Sequence, residues 1–268
     1  MLFRSIALSK KSEFSRRNDN LAAVHYSELF LLQAALQTLL CGWLVRIGRD
    51  TGQTAAWVLL VPQACLVYDN LIVGLGSSIG PGALLEALSW PRFWTHWLFG
   101  AWSIAGCGVI LRLAGVERLR SRKGLLTFCA LTLAMMMYDL PHFFVDRLYA
   151  ICELDLVRYS TAVAAGTACF AGQAVVPGSP PFASIVTLLV VIGSGTVLLL
   201  KHRFPWMLIG GLSMLATTTP LLRALKLDNM GEVLFIVGVG SIVVDGSGPG
   251  WFGWSVRSEE HTSELQSH

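Results

Sequence analysis

Charge is what this chain has least of. Aspartate, glutamate, lysine and arginine make up 14% of its 268 residues, against roughly 25% in an ordinary soluble domain. That scarcity excludes a solvated globular surface. The net charge of +3 is small and sits in connecting segments, which removes the case for a nucleic-acid partner. No CxxC pair occurs. Cys41, Cys65, Cys107, Cys129 and Cys169 fall within apolar runs and only Cys152 lies in a connection. The cysteines are therefore expected to act as small apolar side chains, with neither a disulfide framework nor a zinc site. The first 25 residues lack the apolar core and small-residue cleavage site of a secretory signal. The glycine-rich stretch at 74–82 has no lysine and no strand-to-helix setting, so it is not a phosphate loop. No nucleophile or metal motif is recognised, and any cofactor is unknown.

Apolar sequence is abundant. Hydrophobic residues reach 54% and mean hydropathy is +0.59. A hydrocarbon layer takes roughly 20 apolar residues per helical crossing, and such runs fill nearly everything from 26 to 245. The expected fold is all-α: a polytopic integral membrane helix bundle, embedded in a lipid bilayer. Helices are expected at about 26–46, 55–76, 93–114, 125–145, 160–176, 183–200, 205–222 and 231–245. The fifth and eighth are short and rich in small residues, so seven crossings is the alternative to eight. Residues 1–25 form a basic tail, 26–245 the transmembrane domain, and 246–268 an uncertain tail. Within that tail, 257–268 (RSEEHTSELQSH) resembles the in-frame translation of a common sequencing adapter and reads as added sequence.

Arg112, Arg118, Arg120, Arg122 and Lys123 form the strongest internal positive cluster, which predicts a cytoplasmic loop. Arg46 and Arg49 fall on the same side of an eight-helix arrangement. Lys201 and Arg203 fall on the other side and conflict with it, as does the basic first segment.

The pair Tyr68-Asp69 recurs as Tyr138-Asp139 inside another apolar run. Glu86 and Arg92 follow the first pair, and Glu153 and Arg158 follow the second. This predicts a tandem two-helix repeat, helices two and three followed by four and five. Carboxylates within a bilayer are costly and mark functional or paired positions. Pro62 precedes Asp69 on the same helix and kinks it. His96 lies one turn after Arg92, on the same face. His142 and Asp146 are four apart and His142 is three after Asp139, so these three share a side.

The candidate polar site therefore comprises Asp69, Asn70, Glu86, Arg92, His96, Tyr138, Asp139 and His142, with Asp146, Arg147 and Glu153 nearer the surface. Four readings compete. The group binds or transports a small molecule or relays protons. It serves as acid and base in a membrane-embedded enzyme acting on a lipid or isoprenoid. It holds a divalent metal, although no metal-ligand spacing supports this. Or Asp69 and Asp139 pair with Arg92 and Arg158, and the chain is a structural subunit. Small-molecule or proton-coupled transport is the favoured function.

Overall fold

The first helix, α1 (Tyr26–Thr51), is a leucine-rich run with no proline. It stops at Gly52, whose φ of +67° a side chain would oppose. A tight turn then starts α2 (Thr54–Ile79), which lies antiparallel on α1 and ends at Gly80, again at positive φ. This structure is a computed structural model, and it describes residues 25–178 and 181–217.

Two further helices, α3 (Ala83–Phe99) and α4 (Trp102–Leu113), meet at a 42° bend. The chain takes a turn geometry at Gly100 and Ala101, and glycine is a common origin of sharp helix kinks. A short α5 (Glu117–Arg120) precedes α6 (Arg122–Asp139). Ser121 caps α6 by accepting the Gly124 amide at 3.2 Å. Pro141 separates α6 from the single turn α7 (His142–Val145).

Two strands follow, β1 (Tyr149–Glu153) and β2 (Leu156–Ser160), paired antiparallel with Ile151 opposite Arg158. The chain then runs irregularly to α8 (Phe182–His202) and α9 (Trp206–Thr217). The fold is thus mostly helical, with one two-stranded hairpin where an all-α chain was expected.

Two of the apolar clusters among the described residues lie at opposite ends of α2. One joins Leu44, Ile47 and Ala56 to Leu111, Ala114, Leu119, Leu198 and Met207. The other joins Ile72 and Leu85 to Leu148, Ala150 and Tyr159. The hairpin approaches α2 so closely that a Cβ on Gly76 would collide with the Val157 carbonyl oxygen.

Several expectations need correction. The third helix is the bent pair α3 and α4, beginning ten residues before the expected 93. Residues 160–176 form no helix. Gly166 and Gly172 take φ of +80° and +81° there, and Val163 bridges to Val176, so the segment lacks the uninterrupted length a crossing needs. The second unit of the expected repeat therefore has no second helix, and Arg158 lies on a strand instead of opening a crossing.

Cys152 and Cys169 form a disulfide, against the expectation of thiols throughout. Hydropathy placed Cys169 in an apolar run, whereas the fold places it beside the hairpin. Without a helix at 160–176, α8 also runs in the opposite sense to the one an eight-helix arrangement gives it. The end of α8, with Lys201 and Arg203, now lies with Arg46, Arg49 and the 112–123 segment, as the shared core of Leu198 with Ile47 and Leu111 requires. The conflict of Lys201 and Arg203 with the other internal basic segments came from expecting a helix at 160–176; that of the basic first segment is untouched by it.

Among the described residues, four helices are long and apolar enough to cross a membrane: α1, α2, the Arg122–Val145 stretch and α8. The bent pair makes five if it counts as one span, and Trp206–Ala216 is a shorter apolar helix. The expected helix at 231–245, the end of the one at 205–222, and both tails lie outside the described residues.

Candidate functional site

Asp69 belongs to α2 and Arg92 to α3, two antiparallel neighbours. Arg92 Nε donates to Asp69 Oδ1 at 2.7 Å, with both side chains largely buried. Short charge-assisted bonds of this kind are about twice as strong as neutral ones. Arg92 is only 8% exposed, and its guanidinium also lies 5.5 Å from the Phe93 ring centroid.

The pair forms part of the wall of a cavity of about 80 Å³. α2 contributes Pro62, Cys65, Leu66 and Asp69. The bent pair contributes residues from Arg92 to Ser103, His96 and Gly100 among them. α8 contributes Ser184, Thr187, Leu188 and Val191, and α9 contributes Met214. The cavity thus spans the break between α3 and α4. Non-helical backbone is tolerated in an apolar bundle where it lines a cavity or is packed by protein.

The break is fastened through α2. Pro62 has no amide hydrogen and so leaves the Val58 carbonyl without its helical donor. Trp102, the first residue of α4, donates its indole Nε1–H to that carbonyl at 3.0 Å.

The other sequence-derived candidates are dispersed. Asn70, next to Asp69, faces a different side of α2. It is fully buried against α1 and donates to Gln37 Oε1 at 2.9 Å. Gln63 Nε2 donates to the Gln37 carbonyl at 3.2 Å, so α1 and α2 share a buried amide seam. Gln33 is fully buried on the same helix as Gln37, and neither of its amide atoms has a hydrogen-bond partner. Glu86 sits in the first turn of α3, beside Tyr159. Tyr138 is 54% exposed and packs its ring on Phe182.

Asp139 ends α6, where His142 and His96 are near enough to act on it electrostatically. His142 Nδ1 meets Asp146 Oδ2 at 3.0 Å, and its ring stacks on Trp97. His96 therefore stands between the cavity, which it lines, and the Asp139–His142 group. Sequence reasoning missed Cys65, Ser103, Ser184 and Thr187, because single small polar residues in apolar helices carry no pattern. Among the described residues, no group of three or more His, Cys, Asp or Glu is placed to hold a metal ion.

A second polar centre lies at the hairpin end. Asp155, in the turn between β1 and β2, accepts the Tyr26 amide at 3.1 Å, the Ser27 amide at 3.0 Å and the Ser27 hydroxyl at 2.8 Å. It caps α1 from 128 residues away, in place of His25, which makes no side-chain cap. Burial disfavours its charge, yet the donors from Ser27 and Tyr26 outweigh burial and hold its carboxyl below the ordinary range. Its backbone carbonyl accepts from the Ser77 hydroxyl.

Comparison with protein-family models, curated proteins and solved structures finds no match to this chain.

Proposed function

We propose that this chain is a multi-pass integral membrane protein that binds a small molecule in the α2–α3–α4–α8 cavity and carries it across the bilayer. The carrying observation is the location of the cavity at the break between α3 and α4, with the Asp69–Arg92 pair in its wall. Discontinuous helices beside a binding site at mid-bilayer depth are a recurring construction in transporters. The lining is mostly apolar with a few polar groups, the composition typical of small-molecule sites. The Asp69–Arg92 bond argues against Asp69 as a free acid or base, which weakens the enzymatic reading. A purely structural role for the pair leaves the adjoining cavity unexplained.

The test is mass spectrometry of small molecules that co-purify with the detergent-extracted protein. Wild type is compared with Ser184→Trp, which fills the cavity, and thermal unfolding verifies that both are folded. A compound present only with wild type is then loaded into vesicles containing the protein. Its release through wild type but not Ser184→Trp supports carriage. Identical co-purified sets overturn the binding reading, and binding without release reduces the protein to an intramembrane binder.

A further inference from the structure

The walls of the cavity hold two polar groups whose hydrogen-bonding capacity is not used within the protein. Asp69 takes only the Nε side of Arg92, and Arg92 Nη1 is buried without a partner. Thr187 Oγ1 is likewise buried and unpartnered. Its solitary state is unusual for this chain. Thr38, Thr51, Thr127, Thr132 and Thr196 all lie in helices, and each donates to the carbonyl four residues before it. Thr187 lines the cavity and makes no such bond. A buried donor left unmade costs about 1–3 kcal/mol, so both groups favour an oxygen acceptor supplied from within the cavity.

The charge around the cavity selects the kind of acceptor. Arg92 is already neutralised by Asp69 at 2.7 Å. His96 lines the same space, and beyond it lies Asp139, with His142 alongside. An anionic head would meet a guanidinium already neutralised by Asp69 and would bring an uncompensated charge beside that carboxylate in a poorly screened setting, where like charges repel strongly. A neutral carbonyl takes the Arg92 and Thr187 donors without adding charge. The rest of the lining, including Leu66, Phe99, Leu188 and Val191, suits an apolar body.

Building on the proposed binding role, we infer that the ligand is an apolar molecule with a neutral carbonyl head, a ketone, quinone or ester, docked on Arg92 and Thr187. The test is native mass spectrometry of the full chain with three probes at neutral pH: a long-chain methyl ketone, the alkane and the fatty-acid anion of equal length. The ketone is expected to bind about tenfold more tightly than the alkane, equivalent to about 1.4 kcal/mol, and more tightly than the anion. Thr187→Val, close in shape, is expected to shrink the preference for ketone over alkane severalfold.

Equal binding of ketone and alkane overturns the inference, as does a preference for the anion. If no probe binds while Ser184→Trp still loses a co-purified compound, the head-group assignment fails and the cavity reading stands. If Ser184→Trp also changes nothing, both fail. A Thr187→Val protein that does not fold leaves the wild-type ranking of the three probes as the deciding result.

Discussion

The indole of Trp102 donates to the Val58 carbonyl, the one that Pro62 deprives of its helical partner. One residue thus opens a bond in α2, and another, 40 positions later (102 − 62), closes it at the start of α4. The proline in the cavity wall thus provides the anchor for the broken helix facing it.

This relationship predicts a measurable coupling. Trp102→Phe leaves a partly buried carbonyl unsatisfied and is expected to destabilise the protein by about 1–3 kcal/mol. Pro62→Ala restores a backbone donor to Val58 within α2. In the double variant the Trp102→Phe loss should shrink by about 1 kcal/mol or more. Unfolding in mixed micelles measures all four corners of the cycle, and simple additivity of the two changes would refute the coupling.

The Asp69–Arg92 pair is expected to be intolerant of half-removal. Replacing Asp69 with leucine strands a guanidinium that is 8% exposed, at a cost of about 3–5 kcal/mol. Asp69→Leu combined with Arg92→Met removes both charges and should recover most of that stability. The same unfolding assay decides: a double variant no more stable than Asp69→Leu argues that the charges are needed for the fold itself.

The Asp155 cap makes the α1 start sensitive to acid. Its folded carboxyl titrates below its unfolded value, because the Ser27 and Tyr26 donors prevail over burial. The sign follows by linkage: the stabilisation is complete above the unfolded carboxylate range and disappears as pH falls through the lower folded value. Hydrogen exchange at the first amides of α1 should therefore accelerate only in that acidic window. Asp155→Ala is expected to cost about 1 kcal/mol and to flatten the pH response, and an unchanged response in this variant would dismiss the cap as its source.

The two ends of the bundle should face different redox compartments. Arg46, Arg49, Arg112, Arg118, Arg122, Lys123, Lys201 and Arg203 gather at one end, and the Cys152–Cys169 disulfide lies at the other. Basic loops remain on the cytoplasmic side, and disulfides persist on the oxidising side. In sealed cells, a membrane-impermeant reductant followed by an impermeant maleimide should label Cys152 and Cys169. A maleimide-reactive cysteine introduced at Ser121 should be labelled only after permeabilisation. The reverse pattern would invert the orientation.

Local sequence was sufficient for the apolar helices α1, α2 and α8, since length and hydropathy are properties of continuous segments. It also exposed the reading in which Asp69 pairs with Arg92, because helix period and helix order place 69 and 92 at similar depth. It failed at 160–176. Apolar composition there resembled a crossing, yet the glycines at positive φ and the hairpin contact favour an irregular cap.

Only the tertiary structure could decide which side chains meet across helices. Asn70 turns away from Asp69 although the two are adjacent, because neighbours in a helix point about 100° apart. Thr187 joins Arg92 in one cavity wall although 95 residues separate them (187 − 92), and Asp155 caps a helix that begins 129 residues before it. Such contacts leave no local trace, since they arise from packing whole elements against one another. Composition and periodicity therefore determined which segments are apolar helices, and the packing of α2, the bent α3–α4 pair and α8 decided that they enclose a cavity with two spare donors.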